Sequence, residues 1–274
     1  DLIFSYRKNK QIFEKLSVNF SKGYIYGLLG KNGAGKTTLL KIISGLLFPD
    51  DGYCKIENID TKIRNPLILE KIYIIPEVFE LPSIKIKNYI KANSFFYKNF
   101  SYDKFIDLLK IFEVDVNERI DQLSYGQKKK FLIAFGLSTN VEILIMDEPT
   151  NGLDIPSKVK FKEIISSNFK NEQCFIISTH QVKDLENILD FITIIDNGKI
   201  IFNQAINKIL QKLIFKEIEN QEEMEKALYI EYLLNKRYGI IKNKNENNNI
   251  RIDLELLFNG VISKPELFNE IMSE

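Results

Sequence analysis

Apolar and polar positions alternate in short blocks at the start of the chain. "DLIFSY" (Asp1–Tyr6), "LSVNF" (Leu16–Phe20) and "YIYGLLG" (Tyr24–Gly30) read as strands separated by polar turns. After the glycines the period changes. Leu39, Leu40, Ile43 and Leu47 fall on one face of a helix. "DGYCKIENID" (Asp51–Asp60) reads as a hairpin, and "KIYIIP" (Lys71–Pro76) as a short buried strand stopped by proline. From about residue 84 to residue 139 strand signals are absent. Phe105, Leu108, Leu109 and Phe112 recur at i, i+3, i+4 and i+7, which predicts an amphipathic helix flanked by others, a helical insertion.

Continuous apolar runs then return. They are "VEILIMDEP" (Val141–Pro149), "CFIISTH" (Cys174–His180) and "FITIID" (Phe191–Asp196). A helix with Phe161, Ile164, Ile165 and Phe169 on its core face separates the first two. Apolar strands joined by helices indicate a parallel α/β sheet. "NGKIIFN" (Asn197–Asn203) closes this part. The tail from Gln204 reads as a helix followed by shorter strand pieces such as "RYGIIKN" (Arg237–Asn243). It continues with an exposed turn at "NENNN" (Asn245–Asn249) and a last helix from "DLELLF" (Asp253–Phe258). The expected division is a main domain over 1–203 and a small α+β accessory extension over 204–274. A stabilising role suits the extension.

Composition narrows the classes. The 274 residues are 45% hydrophobic and 27% charged, a globular balance. A net charge of +1, from 38 basic and 37 acidic residues, lacks the basic footprint of a nucleic-acid binder. Cys54 and Cys174 read as reduced, packed thiols rather than a disulfide framework. No apolar run has the length of a membrane span and no signal peptide opens the chain, so the expected location is the cytosol.

Three strand ends carry the candidate chemistry. "GKNGAGKT" (Gly30–Thr37) matches G-x-x-x-x-G-K-[ST] between a strand and an amphipathic helix. Its glycines expose backbone N–H groups that cradle phosphates, Lys36 reaches the outer phosphates, and Thr37 offers a hydroxyl to Mg²⁺. "ILIMDEP" (Ile143–Pro149) is an apolar strand that delivers Asp147 and Glu148 to the carboxyl edge of the sheet, where α/β ligands bind. Asp147 is a candidate Mg²⁺ holder and Glu148 a candidate general base for an attacking water. His180, the single histidine, ends the strand of "IISTH". A lone histidine is usually structural, but at this edge it would touch a γ-phosphate and position the water. "LSYGQKKK" (Leu123–Lys130) looks like a helix start, with Ser124 as cap and free N–H groups suited to an anion. A solvated helix face is the default reading of Lys128, Lys129 and Lys130.

These elements, in this order, resemble the ATP-binding cassette (ABC) ATPases, a branch of the P-loop NTPases. The resemblance runs from Tyr6 to about Asn203. Gly30–Thr38, with Asn32, Gly33, Ala34, Gly35, Lys36, Thr37 and Thr38, looks like the Walker A loop. Leu123–Gln127 looks like the signature, Ile143–Glu148 like Walker B, "NGLD" (Asn151–Asp154) like the D-loop, and His180 like the switch histidine. Tyr6 sits where the family places an aromatic that stacks on adenine; a core aromatic is the rival reading. One position departs from the pattern. Where the family usually has a glutamine that meets Mg²⁺ and senses the membrane partner, this chain has Glu77. Glutamate also coordinates Mg²⁺, and a solvated loop residue is the alternative.

The resemblance implies a cycle. Two cassettes close head to tail around two ATP molecules, and Ser124, Gly126 and Gln127 of one face the γ-phosphate bound by the other. Hydrolysis reopens the pair and drives a permease on a separate polypeptide through the Glu77 loop and the helical insertion. The protein would sit on the cytoplasmic face of the membrane, pair with a second copy, and need no nucleic acid. Acidic residues at position 77 resemble exporter cassettes. The rival is a soluble ABC ATPase acting on nucleic acid or ribosomes. Translation-type members carry two cassettes, and repair-type members carry long coiled coils that are missing here. Intact Lys36, Asp147, Glu148 and His180 speak against a non-hydrolysing regulatory cassette.

Overall fold

The computed structural model describes residues 1–7, 10–243 and 251–274. It opens with an antiparallel ribbon of β1 (Leu2–Arg7) and β2 (Lys10–Leu16). The second strand lies upstream of the expected Leu16–Phe20. The register explains the shift: Leu16 already faces Leu2, so residues beyond it run past the start of β1 and find no strand to pair with. Phe20 instead packs edge-on against Tyr26, with ring centroids 4.9 Å apart.

The strand β3 (Tyr24–Leu29) leads through the glycine loop into α1 (Lys36–Ile43). Leu39, Leu40 and Ile43 are buried as expected, but the helix ends before Leu47, which packs beyond its end against the same core. A hairpin of β4 (Lys55–Ile56) and β5 (Ile59–Asp60) turns through Glu57 and Asn58. Both turn residues have positive φ, 49° and 67°, the twist a two-residue hairpin favours. After α2 (Pro66–Leu69), β6 (Ile72–Ile75) enters the main sheet.

The insertion is mainly helical, with α3 (Ile86–Asn93), α4 (Tyr102–Ile111) and α5 (Tyr125–Ser138). Ser101 caps α4 by accepting from the Lys104 N–H. Phe105, Leu108, Leu109 and Phe112 are all buried, each such side chain stabilising by roughly 1.5–3 kcal/mol. Phe105 lies edge-on to Phe131 and Phe135 of α5, so truncating it would open the centre of the insertion.

The chain returns through β7 (Ile143–Asp147), α6 (Ile155–Asn168), β8 (Cys174–Thr179), β9 (Phe191–Asp196) and β10 (Lys199–Ala205). The main sheet has the order β10-β9-β3-β8-β7-β6, parallel except for β10. This is the mainly parallel α/β class expected, with the antiparallel N-terminal part and the helical insertion in place.

The tail adds α7 (Ile206–Lys212), β11 (Leu213–Glu217), α8 (Gln221–Lys226), β12 (Ala227–Leu233), β13 (Lys236–Lys242), α9 (Leu254–Ser263) and α10 (Pro265–Ser273). Its three strands form a separate antiparallel sheet in the order β11-β13-β12. Its buried residues Ile209, Leu213, Ile240, Leu257 and Phe268 belong to the same hydrophobic cluster as Leu29, Ile177 and Ile194 of the main sheet. The turn expected at Asn245–Asn249 lies outside the described residues. Among the described residues no helix is long and apolar enough to cross a membrane.

Candidate functional site

Parallel register gathers the candidate residues at one edge. Leu29 lies beside Thr179, and Asp147 beside Ser178. The residues that follow these strand ends, Gly30, Glu148 and His180, therefore converge. Gly33 and Gly35 take φ of 81° and 110°, left-handed values that let the loop wrap tightly before α1 begins. Asn32 and Gly33 are exposed at the loop tip. Ala34, Lys36 and Thr38 are buried.

Lys36 folds back over its own loop. Its ammonium donates to the Gly30 carbonyl at 2.7 Å and the Lys31 carbonyl at 3.3 Å, and lies 3.6 Å from Glu148 Oε1. Thr37 Oγ1 donates to Asp147 Oδ2 at 2.7 Å. The other Asp147 oxygen accepts from Ser178 Oγ, inside the sheet. Glu148 is 3% exposed, and its backbone is strained, with φ of 46°. Its N–H donates to both the carbonyl and the hydroxyl of Ser178, each at 3.1 Å. His180 Nδ1 lies 2.8 Å from Glu148 Oε1, and the His180 N–H reaches Glu148 Oε2 at 3.3 Å. The buried carboxylate thus faces one lysine and one imidazole, an arrangement able to hold a water against a phosphate.

Thr37 and Asp147 supply hard oxygen donors, with the Glu77 carboxylate on the neighbouring loop, where Asn151 Nδ2 donates to it at 3.2 Å. That donor set fits Mg²⁺, which takes one or two protein oxygens beside phosphate and water. Among the described residues no group of three or more His, Cys, Asp and Glu forms a dedicated metal cage.

Tyr6 is half exposed rather than in the core. Its hydroxyl is 3.1 Å from Thr38 Oγ1, so the ring stands beside the start of α1.

The signature segment starts α5 with a capping box. Gln127 N–H donates to Ser124 Oγ at 3.2 Å, and Ser124 N–H donates to Gln127 Oε1 at 2.9 Å. Ser124 remains exposed. Gly126 lies against the D-loop backbone: a Cβ there would stand 2.8 Å from the Gly152 carbonyl oxygen. Asp154 caps α6 by accepting from the Ser157 N–H at 2.8 Å. Hydrogen bonding to the Ser157 side chain first, and to this N–H second, lowers its carboxyl below the ordinary range.

Two residues escaped the sequence reading. Ser178 is one; a polar residue inside the apolar run of "CFIISTH" was its signal. Lys129 is the other. The lysine run is no solvated face, because Lys129 is wholly buried. Its ammonium donates to the carbonyls of Pro76 at 3.1 Å and Glu77 at 3.3 Å. Burial pushes it down to about 8, against the opposing pull of Asp147, Glu77 and Glu148. Lys130 lies 3.9 Å from Asp154. Helical spacing carried the missed signal: Tyr125, Lys129, Leu132 and Gly136 form one stripe, and Gly136 abuts Tyr73 and Ile75 of β6.

A cavity of about 690 Å³ opens at the opposite edge of the sheet, lined by both cysteines. They are free thiols, raised by burial, Cys174 to about 12, and so unreactive.

A family model described as ABC transporter matches residues 13–151. The chain is 30% identical over 262 residues to an uncharacterized ABC transporter ATP-binding protein of Methanocaldococcus jannaschii, covering 92% of this chain and 94% of that protein. It is 31% identical over 236 residues to a lantibiotic transport ATP-binding protein of Streptococcus pyogenes, covering 85% and 96%. Its fold is similar to that of a dimeric ATP-binding cassette solved in a post-hydrolysis state with ADP and Pi, with a TM-score of 0.65 at 24% identity over 75% of this chain and 96% of that one.

Proposed function

The chain belongs to the ATP-binding proteins of ABC transporters, and from that premise we propose that it hydrolyses ATP to energise a separate membrane permease, working as a head-to-tail pair. The observation that carries this reading is the convergence of Lys36, Asp147, Glu148 and His180 at one sheet edge, with Ser124 exposed at the start of α5. A site complete in one chain would have no use for a second anion-ready helix start.

In this reading the triphosphate lies along the Gly30–Thr38 loop, on the backbone N–H groups at the start of α1. Lys36 leaves its loop carbonyls for the outer phosphates. Tyr6 stacks on the adenine. Thr37 and Asp147 would hold Mg²⁺, with Glu77 beside them, and the bound ion would supply neutralisation of phosphate charge. Glu148 accepts a proton from the attacking water, and His180 fixes the Glu148 carboxylate and faces the γ-phosphate. Ser124, Gly126 and Gln127 of a second copy close over that phosphate, with Asp154 at the same junction. Their donors stabilise charge that develops in the transition state. Loss of the γ-phosphate removes what they bind, and the pair opens.

Export is the direction we infer, on the acidic Glu77. The working place is the cytoplasmic face of the membrane, against the permease, with no nucleic acid in the cycle.

The test uses Glu148→Gln, which keeps the shape of the site and removes its base. ATP should convert this variant to a dimer, seen as a doubled mass in light scattering. Adding Ser124→Arg should abolish the dimer while leaving affinity for a fluorescent ATP analogue within about twofold, because the blocked contact lies in the partner's site. Loss of nucleotide affinity in the Ser124→Arg chain would refute the division of the site between two copies.

A further inference from the structure

We propose that Lys129 is a positioning residue that ties the signature helix to the Glu77 loop, so that the loop and Ser124–Gln127 shift as one body. The inference rests on the function proposed above and names how two parts of that site are coupled.

A wholly buried ammonium is costly unless its donors are used. Here no carboxylate forms an ion pair with it among the described residues. Its partners are two consecutive backbone carbonyls, Pro76 at 3.1 Å and Glu77 at 3.3 Å, and the face of Phe79, whose centroid is 5.3 Å away. All three lie on one loop. Tyr125, one helical turn earlier, grips the same loop. Its hydroxyl donates to the Glu77 carbonyl at 2.8 Å, and its ring stacks on Phe79 at 5.3 Å with the planes 13° apart. Two side chains at i and i+4 thus hold Pro76, Glu77 and Phe79 of the loop from the first turns of α5.

The grip joins three segments. The Glu77 carboxylate accepts from Asn151, and Gly152 lies under both Gly126 and the Tyr125 ring, where a Cβ would come within 2.6 Å of the ring. Any displacement of Glu77 along its loop is therefore carried by Lys129 into the axis of α5, and α5 carries Ser124 at its tip. An apolar side chain would fill the same space without this coupling, since it offers no donor to either carbonyl. Lysine reaches both from one nitrogen.

The experiment compares the full chain with Lys129→Met and Lys129→Arg. Methionine keeps the length and loses the donors; arginine keeps donors. In Lys129→Met, kcat for ATP hydrolysis should fall about tenfold while affinity for a fluorescent ATP analogue stays within about twofold. In the Glu148→Gln background, Lys129→Met should raise the ATP concentration needed for dimerisation by about tenfold. In the chain with Glu148 intact, Lys129→Arg should keep kcat within about threefold of the original. A Lys129→Met chain with unchanged kcat overturns the proposal. So does one that loses kcat and nucleotide affinity in parallel, or one whose loss arginine does not repair, because each describes packing alone. If Lys129→Met does not fold, Tyr125→Phe decides: it removes only the hydroxyl on the Glu77 carbonyl, and unchanged kcat there overturns the tie. Absence of ATPase activity in the unsubstituted chain would sink the proposed function instead.

Discussion

Replacing Ser178 with alanine removes one oxygen from a place with no solvent. The Ser178 side chain is fully buried, donates to Asp147 Oδ1, and accepts from the Glu148 N–H at 3.1 Å. After the change Asp147 keeps the Thr37 hydroxyl on its other oxygen, and the Glu148 N–H keeps the Ser178 backbone carbonyl. The net loss is therefore one hydrogen bond to a charged acceptor, about 2 kcal/mol of folding free energy. For a chain of this size that lowers the thermal midpoint by roughly 4–8 °C. Urea denaturation followed by circular dichroism, without nucleotide, measures the loss directly. The same change in an Asp147→Asn chain should cost about 1 kcal/mol less, because the acceptor is then neutral. A cost below about 0.5 kcal/mol, or an equal cost in both backgrounds, would show that the hydroxyl does not hold Asp147.

Two further outcomes follow from a buried and a half-buried lysine. Lys36→Ala should weaken binding of a fluorescent ATP analogue by about a hundredfold or more, and unchanged affinity would remove the phosphate-loop assignment. Lys104 is held down to about 8, first by burial and then by Lys170, while its amine in an unfolded chain titrates near 10.5. Between those values the unfolded state binds more protons, so Lys104 makes stability rise with pH across that window. Lys104→Met should flatten the rise and, with the shift screened by solvent and the bond to Asn140 lost, add on the order of 1 kcal/mol near pH 7 in urea titrations; a parallel pH profile would contradict it.

The strand ends were legible because phosphate, carboxylate and imidazole chemistry needs fixed residue types after apolar runs. "GLLGKNGAGKT", "ILIMDE" and "IISTH" state both the strand and its cargo. Register then brings them together without any further signal. Burial was harder to read. Lys129 looks solvated in a run of three lysines, and only its place on the stripe with Leu132 and Gly136 shows that it points inward. The second strand was misplaced because "LSVNF" and the upstream "QIFEKL" both alternate. The length of β1 decides between them, a tertiary fact that local patterning does not contain. The Tyr6 alternatives part for the same reason: exposure follows from what covers the strand.

One edge of the main sheet has a consequence for how copies meet. β10 ends the ladder, with no seventh strand beyond it among the described residues. Such a border is a template on which another chain can grow. Here α7, α9 and α10 lie against β10, and Asn269 Nδ2 donates to the Ile201 carbonyl at 2.8 Å. The C-terminal helices thereby act as a selvedge, finishing the fabric so that it does not extend. A strand that would add to the sheet beside β10 meets those helices first.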